Sequence, residues 1–399
     1  MAHGPKPIFT SNLMLNKKLL IWTFFVLLSL FSIGFGLSKN RALWNDEIYT
    51  QMASVSSHSY SQIWLGHVGE GSASPLFYVM QKFLCEVLRY SAPDEWKKNM
   101  GFEDPKARII LRLNSIFFMS FSVGLIFYFF SRFYSLSAGG YALFVSLSSY
   151  MVWAFWAEGR PYALWFFFTT AQSLIFLCIL HQKKISPSSS AWLSATHFFL
   201  SLSSVFSLIQ IVIVSGFIWF LYERNWKRYI LRTVIPSVIC VYYYTQSPKY
   251  AFWFADGPLQ LINANIPKDR LILIFIFFIF LVLSYAQKKF RMKIFENDSS
   301  NESAVFFWFT ALMLFATGLV LLKFKLTENL LHQGFQVSSR YFIYLTPVGI
   351  IAASLFSIQM LKLARGKTWL KWGVIAVIIF LSFIRVERTY ALVRSYYHI

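Results

Sequence analysis

Seven stretches of this sequence contain no Asp, Glu, Lys or Arg and are long enough to cross the hydrocarbon core of a membrane. They are residues 19–37, 113–131, 138–157, 162–181, 271–287, 304–322 and 341–361. The composition agrees, because 57% of the 399 residues are hydrophobic and only 14% are charged. A soluble globule of this length needs far more polar surface. The pattern therefore predicts an all-α polytopic membrane bundle.

The number of spans depends on residues 191–246. Residues 191–222 carry no charge, and a single crossing there would place Arg224 and Arg228 on the outer side. We therefore predict two short helices that turn near Ser203 and Ser204. Weaker spans at 233–245 and 372–384 bring the count to about eleven. The whole chain, 1–399, is interpreted as one transmembrane domain with no soluble domain, and its first span has no cleavage site after it.

Basic residues predict the orientation. The first residues carry Lys6, Lys17 and Lys18 without an acid, which places the N-terminus in the cytoplasm. Alternation of the spans then puts all but four of the 17 acidic residues outside, the four being Glu223, Glu296, Asp298 and Glu302. We therefore expect any chemistry on the extracytoplasmic side of the membrane, in the outer loops 38–107, 246–269 and 323–339.

The first outer loop, 38–107, is the longest. Its apolar and aromatic residues recur at helical spacing, which predicts amphipathic helices on the membrane surface. Pro75 precedes one of these stretches and is typical of a helix start.

The net charge of +20 has two readings, nucleic-acid binding or attraction to anionic lipid headgroups. Because no basic stripe accompanies a soluble nucleic-acid-binding motif, membrane lipids are the expected partners and nucleic acid is not. The three cysteines have no metal-type spacing, and two lie in apolar runs, so we expect no disulfide framework.

Asp46 and Glu47 are adjacent carboxylates just after the first span leaves the membrane. Paired carboxylates near a low-dielectric boundary can have separated pKa values, which suits one of them to general-base catalysis. The alternative is that the two acids only begin a surface helix. Upstream of Ala73-Ser74-Pro75, His67 and Glu70 are weak candidates for ligands of a divalent metal ion, with ordinary loop polarity as the alternative.

Two further charged positions lie very close to hydrocarbon. Glu158 and Arg160 occupy a tight outer turn in Glu-Gly-Arg-Pro-Tyr-Ala-Leu, which includes Tyr162, and such charges are candidates for function. A mutual salt bridge is the structural alternative. Arg340 begins a late span, where its guanidinium suits a phosphate, although its side chain could also reach to the interface.

The order of these motifs resembles the GT-C glycosyltransferases, closest to the bacterial enzymes related to protein O-mannosyltransferases and to the aminoarabinose transferase of lipid A. The matching elements are Asp46-Glu47, a Pro-Leu-aromatic stretch, Arg112-Leu-Asn-Ser, the turn at Glu158, and Arg340-Tyr-Phe with a later proline. The resemblance covers most of the chain in order. It implies a membrane enzyme that takes a sugar from a polyprenyl-phosphate donor.

The resemblance also assigns roles to residues. It implies Asp46 and its neighbour Glu47 as the catalytic acidic residues, and Arg340 at the donor phosphate. We expect Arg160 at the same phosphate, with Glu158, Tyr162 and Arg112 as supporting residues. Many relatives have His-Pro-Pro or a glutamate where this chain has Ala73-Ser74-Pro75, so the usual metal ligand is missing. We expect an inverting transfer to a hydroxyl group of a lipid, glycan or protein acceptor.

Two other classes of function remain open at this point. One is a flippase or transporter of lipid-linked glycans, whose charged residues would line a path through the membrane. The other is a polymerase or ligase of cell-envelope glycans, which would depend on arginines such as Arg108, Arg112 and Arg340.

Overall fold

The computed structural model describes residues 13–69, 73–99, 102–247, 258–290, 301–331, 339–364 and 366–397, and all regular structure in these ranges is helical. The first half comprises α1 (Leu13–Asn40), α2 (Asn45–Tyr49), α3 (Tyr60–Trp64), α4 (Leu76–Val87), α5 (Pro105–Ile110), α6 (Leu113–Phe133), α7 (Leu136–Leu147), α8 (Tyr150–Trp156) and α9 (Tyr162–Gln182). The second half comprises α10 (Pro187–Ser203), α11 (Ser207–Leu221), α12 (Trp226–Tyr229), α13 (Ile235–Gln246), α14 (Pro258–Asn265), α15 (Lys268–Phe290), α16 (Asn301–Leu331), α17 (Leu345–Leu363) and α18 (Thr368–Tyr397).

Six of these helical segments are long and apolar enough to cross a membrane, and a seventh span results if the bent pair α7–α8 counts as one. The six are α1, α5 with α6, α9, α16, α17 and α18. The predicted total of about eleven is not confirmed. The helices between α9 and α15 are shorter than a span usually is. The predicted weak span at 372–384 is part of the much longer α18.

The central helices of the bundle are α6, α9 and α17. The most apolar window is 83% buried in α17, 72% in α9 and 61% in α6, but only 17% in α18 and 11% in α1. The two peripheral helices therefore expose most of their apolar side chains to the surroundings, as lipid-facing helices do. A close approach joins α1 to α6, because a Cβ on Gly124 would lie 2.5 Å from Cδ2 of Leu27.

A bend of 70° separates α7 from α8. It leaves backbone carbonyls without helical partners, and polar side chains from other helices hydrogen-bond to them. Arg385 Nε and Thr389 Oγ1 of α18 both donate to the carbonyl of Ser148 at 2.8 Å, and Arg270 donates to that of Val145. Irregular backbone is tolerated at membrane depth where the protein supplies such partners.

Residues 187–221 form two helices, α10 and α11, separated by Ser204–Phe206. The predicted break near Ser203 and Ser204 is thereby confirmed. The fully buried His197 links α10 to its neighbours, because its two ring nitrogens lie 2.8 Å from Gln172 Nε2 and from the carbonyl oxygen of Arg232.

Short helices of the first loop cover one end of the bundle. Helix α4 begins directly after Pro75, as predicted, and buries Phe77 and Cys85 while Phe83 and Val87 stay exposed. The C-terminal end of α13 reaches this cover, where Tyr243 Oη donates to the carbonyl of Trp64 at 2.9 Å. The opposite end of the bundle holds Glu302, whose carboxylate lies 2.8 Å from His181 Nδ1 at the end of α9.

Candidate active site

The adjacent carboxylates Asp46 and Glu47 lie in the first turn of α2, immediately after the chain leaves α1. Glu47 Oε2 accepts the backbone N–H of Trp44 at 2.9 Å and so fixes the start of the helix. Successive residues of a helix point about 100° apart. The two carboxylates therefore face different surroundings although they are neighbours in sequence.

Glu47 is enclosed with Arg112. Arg112 Nε lies 2.7 Å from Oε1 and Nη2 lies 2.6 Å from Oε2, and both side chains have 0% exposure. Gly159 N–H donates to the same carboxylate at 2.7 Å. Burial alone would raise the pKa of Glu47, but the charge and hydrogen bonds of Arg112, with the two backbone N–H groups, hold it below its usual range.

The remaining N–H donors of Arg112 hydrogen-bond to backbone carbonyl groups at the C-terminal end of α1. They reach the carbonyl oxygens of Ser38, Arg41 and Ala42 at 2.8 to 3.1 Å. Arg112 therefore has no exposed donor to offer to a substrate. This fits the supporting role expected for it from the resemblance better than the role of a substrate-facing arginine in a glycan polymerase or ligase.

Asp46 stands in a more open cluster. Its Oδ2 lies 2.5 Å from Arg160 Nη1 and 2.8 Å from Arg340 Nη1, and its side chain keeps 35% exposure. Three positions far apart in sequence therefore meet at one carboxylate oxygen. The Nε of Arg340 is buried and has no hydrogen-bond partner among the described residues. This donor is therefore not used by any described residue.

Aromatic rings hold the guanidinium groups of this cluster. The Arg340 guanidinium carbon lies 5.6 Å from the ring centre of Trp44 and 5.8 Å from that of Tyr341. Arg160 lies 5.2 Å from the ring of Tyr162, which is buried. Such cation–π contacts orient an arginine without using its hydrogen-bond donors.

The turn between α8 and α9 carries both Glu158 and Arg160. Ser115 Oγ donates to the carbonyl of Glu158, and a Cβ on Gly159 would come within 2.8 Å of the carbonyl oxygen of Leu111. The turn therefore packs tightly on the start of α6. Arg160 bonds to Asp46, and within the described ranges Glu158 forms no salt bridge with it. The mutual salt bridge considered from the sequence is not formed there.

Glu158 is 1% exposed, and its Oε2 accepts the hydroxyl of Tyr396 at 3.0 Å. Its Oε1 is buried without a hydrogen-bond partner in the described part of the chain. Burial raises the pKa of Glu158 to about 7, against the opposing effect of Arg160. A carboxyl group with a pKa near neutrality can hold or release a proton under physiological conditions.

A polar cavity of about 550 Å³ adjoins the site. It is lined by Asn40, Arg41, Ala42, Leu43, Trp44, Arg108 and Tyr396. Arg41 lies 4.0 Å from the ring centre of Tyr396, and Trp44 also faces the Arg340 guanidinium. The cavity and the Asp46 cluster therefore share a wall.

The predicted metal ligands do not form a site in the described residues. His67 is exposed, Glu70 lies outside the described ranges, and no group of three or more metal-binding side chains occurs within those ranges. Both oxygens of Glu47 and Oδ2 of Asp46 already accept guanidinium donors. A divalent cation at the acidic pair would therefore have to displace guanidinium donors.

Sequence reasoning placed Asp46, Arg160 and Arg340 correctly in one cluster but missed Arg41 and Tyr396. Tyr396 lies eleven residues after Arg385 and seven after Thr389, so the three polar residues share one face of α18. This shared face is the signal that could have found Tyr396, although the same end of α18 also carries Glu387, Arg388 and Arg394.

No protein-family model matches this chain, and no curated protein matches it significantly.

Proposed function

We propose that this chain is a membrane glycosyltransferase of the GT-C type, which moves a sugar from a polyprenyl-phosphate donor to an acceptor hydroxyl. The observation that carries the proposal is the meeting of Asp46, Arg160 and Arg340 at one end of the bundle. A carboxylate beside two guanidinium groups combines a proton acceptor with a binding site for a phosphate. Glycosyl transfer from a lipid phosphate needs both.

Arg340 and Arg160 bind the donor phosphate in this proposal. Guanidinium groups match the geometry of phosphate oxygens and stay charged at all physiological pH values. The negative charge on the departing polyprenyl phosphate grows as its bond to the sugar breaks, so fixed positive charges stabilise the transition state. In the absence of donor these arginines are paired with Asp46, and donor phosphate replaces that contact.

Asp46 acts as the general base. It accepts the proton of the acceptor hydroxyl while the hydroxyl oxygen bonds to the anomeric carbon of the sugar. The bond from that carbon to the phosphate oxygen breaks, and its electron pair leaves with the polyprenyl phosphate. A single displacement of this kind inverts the anomeric configuration. The partial exposure of Asp46 leaves room for an acceptor to approach.

Glu47 and Arg112 position the site without touching substrate. Glu47 joins the start of α2 to Arg112 and to Gly159, which lies next to Arg160 in the turn. The buried ion pair thus fixes both Asp46 and Arg160 relative to each other. Glu158 and Tyr162 support the same turn. The neighbouring cavity beside Trp44 is a suitable place for the sugar or its acceptor.

The proposal also includes the membrane placement. About eleven spans with a cytoplasmic N-terminus would put the Asp46 end on the extracytoplasmic side of the plasma membrane of a bacterium. The clustering of Glu302 with His181 at the other end of the bundle is compatible with that arrangement. An outward-facing transfer requires a sugar that crossed the membrane on a lipid.

The decisive experiment compares cell-envelope glycolipids and glycoproteins by mass spectrometry in cells with the wild-type gene, without it, and with Asp46→Asn. We expect the deletion to remove one sugar from a defined species. Asp46→Asn should restore at most about 1% of it, because a positioned general base is worth about a hundred- to ten-thousandfold in rate. The matched control is Asp94→Asn, an exposed acid of the same loop. Normal transfer by a well-expressed Asp46→Asn protein would exclude this role.

One observation favours transport of a lipid-linked glycan as a second candidate. Interrupted helices are typical of transporters, and α7–α8 is bent by 70°. Purified protein in vesicles that moves the lipid-linked sugar across the bilayer, equally well with Asp46→Asn, would favour this candidate over transfer.

A further inference from the structure

A second cavity lies at the end of the bundle opposite Asp46. Helix α6 begins beside Arg112 and runs for 21 residues to Phe133, so its two ends are about 30 Å apart. The cavity has a volume of about 410 Å³ and lies where α6 turns into α7 and α17 turns into α18. It is therefore separated from the candidate active site by most of the length of a span.

One part of the cavity wall is charged and polar, and another part is apolar. Lys362 and Lys371 contribute positive charge, and Tyr134 and Ser137 contribute hydroxyl groups. Leu361 and Ile378 form an apolar wall. A ligand that fills the cavity therefore needs an anionic head and an apolar chain.

Neither lysine is neutralised by an acid within salt-bridge distance in the described ranges. Lys362 lies 5.1 Å from the ring centre of Tyr134. The carboxylate of Glu302, which also approaches Tyr134, is held by His181 Nδ1 at 2.8 Å and by the Tyr134 hydroxyl at 3.1 Å. As far as the described residues go, the two ammonium groups therefore remain available to an external anion.

Two tryptophans place the cavity at the depth of lipid headgroups. Trp369 and Trp372 flank Lys371 near the start of α18 and are 73% and 63% exposed. Exposed tryptophans of membrane helices collect at the boundary between hydrocarbon and headgroups. Lys371 therefore lies at the level where the phosphates of a bilayer are found.

We propose that this cavity binds one anionic phospholipid, with its phosphate at Lys362 and Lys371 and an acyl chain along Leu361 and Ile378. A phospholipid headgroup and free phosphate share one feature, an anionic phosphate group. The apolar wall favours a lipid over free phosphate, because inorganic phosphate would leave that wall unfilled. This site does not depend on the proposed glycosyl transfer.

The test is native mass spectrometry of the full-length protein titrated with phosphatidylglycerol or phosphatidylcholine. Wild-type protein should bind phosphatidylglycerol more tightly. Lys362→Gln with Lys371→Gln should raise the Kd for phosphatidylglycerol roughly 10- to 30-fold, since each lysine near a lipid surface contributes about a factor of five. The Kd for phosphatidylcholine should change less than twofold.

Lys367→Gln is the matched control, because this lysine lies in the same turn but does not line the cavity. An equal loss of affinity in the control would overturn the site in favour of diffuse surface charge. Equal binding of the two lipids by wild-type protein would also overturn it, as would displacement of the lipid by millimolar inorganic phosphate. Asp46→Asn should leave lipid binding unchanged, which separates this proposal from the proposed transfer.

Discussion

Asp46 and Glu47 are neighbours in sequence, both carboxylates, and both bound by arginine, yet they lie in very different surroundings. Glu47 has no exposure and shares its two oxygens with Arg112 and with backbone N–H groups. Asp46 is one-third exposed and uses one oxygen for two arginines. The comparison teaches that a pair of acids at a helix exit can divide into a structural and a reactive residue.

Glu47 and Asp46 differ because more of the carboxylate's hydrogen-bonding capacity is filled at Glu47 than at Asp46. A buried charge pair that is completely hydrogen-bonded is costly to break, because one charge then remains without a partner in a low-dielectric interior. A partly exposed cluster can exchange its partners for those of a ligand at much lower cost. We therefore expect stability to depend on Glu47 and activity to depend on Asp46.

The largest predicted effect on stability comes from Glu47→Gln. It should lower the free energy of unfolding by about 3 to 5 kcal/mol, because it leaves the Arg112 guanidinium buried without a counter-charge. The measurement is thermal unfolding of detergent-purified protein, together with the amount of folded protein in membranes. Asp46→Asn is the control and should unfold close to the wild-type temperature. Equal destabilisation by both substitutions would show that Glu47 and Asp46 do not differ in their contribution to stability.

The next largest effect is the dependence of stability on pH that comes from Glu158. Its folded-state pKa of about 7 lies above the ordinary value of 4.5, so the folded protein holds this proton more tightly than the unfolded chain. The stability contributed by the group is complete below pH 4.5 and is lost as the pH rises to 7. Its size is on the order of 3 kcal/mol.

Glu158→Gln should remove this dependence. The difference in unfolding temperature between the variant and the wild type should therefore increase in favour of the variant from pH 5 to pH 8. A difference that stays constant over this range would show that Glu158 is ionised in the folded protein.

A smaller effect is expected from Gly159→Ala. The added Cβ would meet the carbonyl oxygen of Leu111 at 2.8 Å and push the turn away from Glu47. The expected cost is about 1 to 3 kcal/mol, measured as the shift in thermal unfolding. Gly140→Ala is the matched control, since a Cβ there meets no other atom within 4 Å. An unchanged unfolding temperature for Gly159→Ala would mean that this turn does not depend on close packing.

The smallest effect on stability is expected from an exposed ion pair. The ion pair of Lys97 with Asp94 has the same charges as Arg112 with Glu47, but its side chains are 71% and 88% exposed. Lys97→Gln should leave the unfolding temperature unchanged, because water and salt replace the lost partner. A shift as large as that of Glu47→Gln would show that burial is not what distinguishes the two pairs.

The sequence was sufficient to predict the helical membrane class, the break between α10 and α11, and the charged residues of the open cluster. Asp46, Arg160 and Arg340 were identifiable because each lies beside hydrocarbon. A charge there is energetically costly and therefore indicates a function. The enclosure of Glu47 was not predictable, since its partner Arg112 lies 65 residues away and only packing brings them together. The 70° bend between α7 and α8 was also missed, because residues 138–157 carry no charge and no proline, although Ser148 and Ser149 stand at the break.

Sequence separation has a consequence for the order of assembly during synthesis. Glu47 and Arg112 are 65 residues apart and lie between the first two long helices, Glu47 after α1 and Arg112 just before α6. Their ion pair can therefore close soon after those helices enter the membrane. Asp46 and Arg340 are 294 residues apart. The ribosome must therefore deliver most of the chain before the open cluster is complete, and a nascent protein has its scaffold in place well before it has its chemistry.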